Sequence, residues 1–401
     1  SEITGQYRDS WASWCFVYAG GENQRQRAIK EFDRARYPIT GNDVYIQANT
    51  WGSSSGWLEH REAASERNVL RELESCADLG IDVLQIDDGW QGDGYDSWTV
   101  DPERYPSGWG PVASRAKELG VDLGLWAAGS RIPLEDLKRT RREGGFVSYK
   151  LDFLHLGNRD DIEELLEEKV RPFIHDEDHQ VRVNWDLTER SPRVGQYFAR
   201  EYGSVYLENR KPQSPPNAVY RPHTVLRDLW QLSTYCNLQK FQGSVQNPDR
   251  VDPSLSDAPL HPHDYCAAIP LMSTPLFFQQ TMYYDEAARS QIRPLLRAYK
   301  EHRRDIYRGT VYPIGEKPDN GSWTGFQCHL HEEDTGYLLV FRERNNPAPE
   351  KQLSLRFADT GRLRLENLLA GDTRESDLTG GQVTFHLDSA PGFLFFRYEQ
   401  G

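Results

Sequence analysis

From residue 43 to about residue 310, short apolar runs alternate with helical stretches, and most of the runs stop on Trp, Asp, Glu or Lys. That alternation constrains the fold more than any other feature, because strands separated by helices pair in parallel. The first run, Val44-Tyr45-Ile46-Gln47-Ala48, ends at Asn49-Thr50-Trp51-Gly52. A helix follows with Val69, Leu70, Leu73 and Ala77 on one face, and Gly80 closes it. The second run, Val83-Leu84-Gln85-Ile86, ends on Asp87-Asp88-Gly89-Trp90, and a helix over 112–119 leads to a third that stops on Trp126. The fourth, Phe146-Val147-Ser148-Tyr149-Lys150-Leu151, stops on Asp152. Side chains alternate along a strand, so Lys150 and Asp152 point to the same side. The fifth run ends on Trp185-Asp186 and the sixth on Glu208-Asn209-Arg210; the seventh lies near 241–245 and the eighth at 275–279.

Eight such strands predict a (β/α)8 barrel over residues 41–309, with a doubly wound open sheet as the competitor. The first βα turn has no Gly-x-Gly-x-x-Gly, so nothing supports a dinucleotide site. Residues 1–40 read as a lead-in, a strand at 11–18 and then a charged helix at 22–37. Beyond residue 310, runs at 336–341, 352–357, 362–365, 382–387 and 392–396 sit between Gly, Asn and Asp turns. They predict a C-terminal antiparallel β-sandwich over 310–401 with a structural role.

A net charge of −14 argues against a nucleic-acid partner, which needs basic surface. No apolar run approaches the roughly 18–20 residues that cross a bilayer, so no membrane partner is expected. The five cysteines show no CxxC or paired spacing and read as free thiols. With no signal-like start, they make the cytoplasm the expected compartment, and secretion stays open. A homo-oligomer is compatible with the sequence. His223, His261 and His263 lack the ligand spacing of a zinc site, so neither metal nor other cofactor is expected.

The predicted barrel gathers Trp51, Asp87, Asp88, Trp126, Lys150, Asp152, Trp185, Asp186 and Glu208 at its C-terminal mouth, where barrel enzymes keep their chemistry. Two separated carboxylates without a metal suit cleavage of an acetal, one attacking the anomeric carbon and one protonating the leaving oxygen. Asp152 and Glu208 fit those roles. Lys150 would keep Asp152 ionised, and a desolvated aromatic wall would raise Glu208. Plainer readings stand beside these: a buried Lys150–Asp152 salt bridge, a surface Glu208–Arg210 pair, Asp87-Asp88 as a capping turn, and Trp51 and Trp126 as core aromatics. Asp186 and Glu189 are reserve candidates for the acid.

Asn49-Thr50-Trp51-Gly52, Gln85-Ile86-Asp87-Asp88-Gly89-Trp90, Gly124-Leu125-Trp126 and Tyr149-Lys150-Leu151-Asp152 resemble, in order, the signatures of the α-galactosidase clan, glycoside hydrolase family 36 above all and family 27 as a cousin. The resemblance spans roughly residues 25–310. It implies that Asp152 is the nucleophile of a retaining, exo-acting hydrolase of terminal α-galactosides or a related small sugar. It further implies that Asp87 and Asp88 grip the O4 and O6 hydroxyls, that Lys150 is a hydroxyl ligand, and that Trp51 and Trp126 wall the pocket. Glu208 stands where the family carries its acid/base aspartate. At strand five the family's small residues are replaced by Trp185-Asp186-Leu187-Thr188-Glu189, and Ala127-Ala128 stand where a Glu commonly follows the strand-three Trp. These departures leave the exact sugar open. They also keep two alternatives, a transglycosidase of the same fold and a sugar-binding homologue without catalysis.

Overall fold

The computed structural model describes residues 14–52, 57–92, 94–154, 159–186, 200–207, 220–358 and 360–401. Eight parallel strands close into a barrel in chain order: β1 (Gln47–Asn49), β2 (Val83–Ile86), β3 (Asp122–Ala128), β4 (Ser148–Asp152), β5 (Arg182–Trp185), β6 (Val205–Tyr206), β7 (Phe241–Val245) and β8 (Thr274–Phe277). Closure is explicit, since β1 pairs with β2 on one side and with β8 on the other. The doubly wound alternative is thereby excluded.

The helices form because their apolar residues recur on one face. In Glu66–Leu79, Val69, Leu73, Cys76 and Leu79 are buried against the barrel. Each such Val or Leu contributes about 1.5–3 kcal/mol over its exposed state. Gly80 ends this helix in the left-handed conformation, as the sequence predicts.

Inside the barrel, below its mouth, the residues are polar and bonded to one another. Gln47 Nε2 donates to Gln85 Oε1 (3.0 Å), and Asn184 Nδ2 donates to Gln47 Oε1 (3.0 Å) and Ser148 Oγ (2.6 Å). Tyr45 OH donates to Asn184 Oδ1 at 3.0 Å. These cross-strand bonds tie β1, β2, β4 and β5 together as a floor beneath the mouth.

The remaining strands are β9 (Thr310–Gly315), β10 (Trp323–Leu330), β11 (Thr335–Arg342), β12 (Glu350–Ser354), β13 (Thr360–Asn367), β14 (Thr373–Thr379), β15 (Gln382–His386) and β16 (Gly392–Gln400). They make one antiparallel sheet in the order β12-β15-β14-β13-β16-β11-β10-β9. Its ends meet: Lys351 on β12 reaches Glu316 just past β9 at 2.9 Å. Trp323, Leu338, Leu353, Leu363 and Phe385 share one core. The predicted sandwich is thus a single sheet folded over on itself.

Of the predicted lead-in strand over 11–18, residues 11–13 lie outside the described part, and 14–18 have no regular structure. A closed barrel offers them no edge to pair with, and Trp14 and Phe16 lean on Phe32 instead, with centroids 5.8 and 5.9 Å away. The helix Glu22–Arg36 is firmly docked. Arg34 donates to the carbonyls of Tyr307 and Gly309 (2.7 Å each), and Lys30 Nζ donates to the carbonyl of Cys236 (2.6 Å). No helix among the described residues is long and apolar enough to cross a membrane. All five cysteines are free thiols.

Candidate active site

The site is built at the C-terminal ends of β1 to β5. Asn49 closes β1, and its amide works in both directions. Nδ2 donates to Asp87 Oδ2 (2.9 Å), while Oδ1 accepts the Trp51 N–H (2.8 Å). Thr50 Oγ accepts the Asp87 N–H at 3.0 Å. The turn after β2 therefore rests on the end of β1.

That turn depends on Gly89, whose φ is +119° and whose missing Cβ would sit 2.5 Å from the Arg61 carbonyl oxygen. No side chain fits there. Gly89→Ala is expected to destabilise the chain by about 2–4 kcal/mol through strain and displaced backbone. Denaturant unfolding checks this, and a change below the measurement error would contradict the geometry.

Asp87 and Asp88 diverge after the turn. Asp88 turns to a buried polar nest, where Arg61 NH1 (3.2 Å) and Gln91 Nε2 (2.8 Å) donate to Oδ1, and Tyr95 OH (3.1 Å) donates to Oδ2. Burial raises its carboxyl above the usual range despite Arg61 and Gln91. Asp87 faces Lys150, with Nζ to Oδ2 at 3.1 Å. Lys150 in turn stands 3.6 Å from Asp152 Oδ2 and 3.4 Å from Asp186 Oδ2. One ammonium thus serves three carboxylates, and none of the four side chains is more than 12 % exposed. Burial by itself pushes the Lys150 ammonium down. Asp87, Asp152 and Asp186 outweigh it and hold the ammonium well above its ordinary range.

Asp152 ends β4 and is gripped at both oxygens. Trp126 Nε1 donates to Oδ2 (3.0 Å), and the Phe153 N–H donates to Oδ1 (2.7 Å). Phe153 adopts the left-handed conformation, φ +47°, an unusual place for a bulky residue. Its ring then meets Trp126 and Tyr95 edge-on, centroids 5.6 and 5.5 Å apart. Burial and the neighbouring Asp186 push the Asp152 carboxyl up to about 7, against Lys150 and the Trp126 N–H. Lys150 alone does not keep it ionised, contrary to the simple reading of the Lys-x-Asp pair.

An aromatic wall stands opposite. Tyr206 and Phe278 stack at 4.9 Å and 14°, and Lys150 Nζ lies 5.8 and 5.3 Å from their rings. Trp51 packs against the same cluster and against His60, 4.2 Å between centroids.

The structure therefore brings Asp87, Trp126, Lys150, Asp152 and Asp186 together, with Trp51 and Asp88 on their flanks. Trp185 is a correction. Leu151 pairs with Trp185 and Lys150 with Asn184 in the register of β4 and β5, so Trp185 faces the helices with Leu151 while Asp186 faces the mouth. It is a core residue, not a pocket wall. Glu208 and Glu189 lie outside the described residues. Sequence reasoning passed over Asn49, Arg61, Tyr95, Phe153, Tyr206 and Phe278. Asn49 sits at a strand end, the signal used for the others; Arg61 projects from the helix Trp57–Ala63 and carries no such signal. Among the described residues, no group of three His, Cys, Asp or Glu could hold a metal ion.

No protein-family profile matches the chain. Segments of it are 31% identical over 112 residues to α-galactosidase 2 of Pediococcus pentosaceus, and 36% identical over 78 residues to α-galactosidase of Escherichia coli. The matches span 26% and 18% of this chain, and 15% and 11% of those relatives. The fold matches the family 36 α-galactosidase AgaA of Geobacillus stearothermophilus at a TM-score of 0.69 and 14% identity, covering 95% of this chain and 59% of that one. The galactosidase domain of the α-galactosidase–sucrose kinase AgaSK matches at 0.73 and 12%, covering 95% and 58%. The chain thus spans under two thirds of these proteins, and the structural likeness is one of fold. Variants of the Geobacillus enzyme have been solved in complex with stachyose and with raffinose. The matched segments and the shared fold together show a divergent resemblance to the α-galactosidase clan.

Proposed function

We propose that the chain is a retaining, exo-acting glycoside hydrolase of the α-galactosidase type, taking a small carbohydrate with a terminal α-galactoside or a related sugar. The observation that carries this reading is the grip on Asp152. A carboxylate at the barrel mouth accepts an indole N–H and a backbone N–H on opposite oxygens, with an ammonium alongside. Such donors fix a carboxylate's orientation and favour its anionic form, as a nucleophile needs.

In the proposed reaction Asp152 attacks the anomeric carbon as the glycosidic C–O bond breaks. Glu208 delivers its proton to the departing oxygen. Glu208 then takes a proton from water, whose oxygen displaces Asp152 and frees the sugar. In this reading Asp87 and Lys150 meet its hydroxyls, and Trp51 and Trp126 wall the pocket.

A panel of aryl α- and β-glycosides, read by 1H NMR of the first-formed anomer, tests this. An α-galactoside is expected to give the α-anomer first. Glu208→Ala is expected to turn over a substrate with an activated leaving group and to be accelerated by azide. First formation of the β-anomer would rule out the double displacement.

A further inference from the structure

We propose that Gln246, one residue past β7, is a further sugar ligand of the mouth, its amide kept for a hydroxyl of the bound substrate. The inference rests on the reading of the mouth as a sugar site, and it adds a polar contact beside the aromatic wall. Alternation along β7 decides where this side chain points. Phe241 and Val245 belong to the apolar core, and a Cβ on Gly243 would meet Leu229 of the helix Pro222–Leu232 at 3.1 Å. The odd positions thus face the helices. The even ones face the lumen, where Gln242 Nε2 donates to Tyr45 OH (3.3 Å), the phenol that bonds Asn184 in the floor. Register agrees. Val245 pairs with Phe277, and its carbonyl accepts the Phe278 N–H at 3.0 Å, which sets Gln246 beside Phe278. The Phe278 ring lies 5.3 Å from Lys150 Nζ, so Gln246 shares the face that carries the site.

Two neighbouring amides are engaged by the protein itself. Asn247 Nδ2 donates to the Tyr283 carbonyl (3.4 Å), and its Oδ1 accepts the Asp249 N–H (3.0 Å). Gln279 Oε1 accepts the Asn247 N–H, and its Nε2 donates to Tyr284 OH. These bonds tie the loop after β7 to the loop after β8. Gln246 differs. It is only 2 % exposed, yet its Nε2 has no hydrogen-bond partner among the described residues. A buried amide left unpaired costs the fold stability, so packing gives no reason for a polar group here. A bound sugar does. The amide offers both a donor and an acceptor on a soft last torsion, and a hydroxyl answers either.

The experiment compares wild type, Gln246→Met and Gln246→Asn by urea midpoint and by kcat/KM. The probes are the aryl α-glycoside that wild type turns over fastest and its monodeoxy analogues. Met replaces the amide with an apolar chain of the same reach. It is expected to hold or raise the urea midpoint while kcat/KM on the parent glycoside falls about ten-fold. On one monodeoxy analogue wild type and Gln246→Met are expected to be equal, because the hydroxyl that the amide meets is gone. Gln246→Asn keeps the amide but draws it back by one methylene, and is expected to show the same loss and the same equality.

An unchanged kcat/KM in Gln246→Met overturns the inference whatever the midpoint does, and leaves the hydrolase reading standing. An equal loss on the parent and on every monodeoxy analogue overturns it too, since the amide would then act through the fold. Calorimetry with galactose and its epimers needs no turnover. If wild type binds one of these sugars but hydrolyses no glycoside, weaker binding by Gln246→Met upholds the contact while the hydrolase reading falls. Equal binding by the two proteins in that case overturns the contact as well, and a wild type that neither binds nor hydrolyses any of the probes overturns both.

Discussion

Asp152→Ala is expected to lower kcat for an aryl α-galactoside by on the order of ten-thousand-fold while the barrel stays folded. The proposed covalent route has no substitute for this oxygen. Truncation leaves Trp126 Nε1 and the Phe153 N–H aimed at an empty place, and Asp186 remains against Lys150 without a path to the same carbon. Folding should suffer little. Removing a carboxyl raised to about 7 relieves a charge that is costly above that pH, so the variant is expected to gain on wild type in alkaline solution and lose the gain in acid. Burst kinetics and circular dichroism separate the two effects. An unchanged rate would end the assignment of the nucleophile. Sugar binding by calorimetry without hydrolysis of any activated glycoside, in the wild-type protein, would favour the non-catalytic alternative.

The second large effect belongs to Lys150. Lys150→Met keeps an unbranched apolar stem one atom shorter and removes the charge that holds three buried carboxylates together. Breaking a buried pair from one side typically costs about 3–5 kcal/mol, because the partner charge is left unanswered. Here the loss is expected to be largest above pH 7, where Asp152 is ionised, and to shrink as it takes up a proton. Urea unfolding at pH 5 and pH 8 reads the difference. Equal losses at both values would mean that Lys150 acts by packing on Tyr206 and Phe278 rather than by charge. Turnover is expected to fall with it, since the cluster that orients Asp152 comes apart.

Strand-end chemistry was legible in the sequence because it obeys period two. Lys150 and Asp152 share a face, and so do Asn184 and Asp186. The same rule forbids Trp185 and Asp186 from both entering the mouth, a point the strand-end reading missed. Asp87 and Asp88 escape the rule because both lie past the end of β2, in a turn where alternation no longer applies. Groups supplied from helices and loops, such as Arg61 and Tyr95, follow no strand period and become visible only when the barrel closes.

Among the strands, β2 and β7 begin and end where the apolar runs do. Three others went unseen for separate reasons. Strand β9 carries Pro313, which an edge strand tolerates and a sequence pattern discounts. Strand β10 is buried on both faces and mixes Thr, Gln and His with Gly325. Strand β14 is polar and mostly exposed.

The docked helix Glu22–Arg36 has a consequence for how the chain is made. Its residues grip Cys236, Tyr307 and Gly309, and Asn23 receives the Arg356 guanidinium at 2.6 Å, a partner 333 positions later. During synthesis at roughly 5–20 residues per second, this segment must wait tens of seconds for its last contact. It is translated long before these partners and docks only after them, a latch thrown once the last of them has emerged.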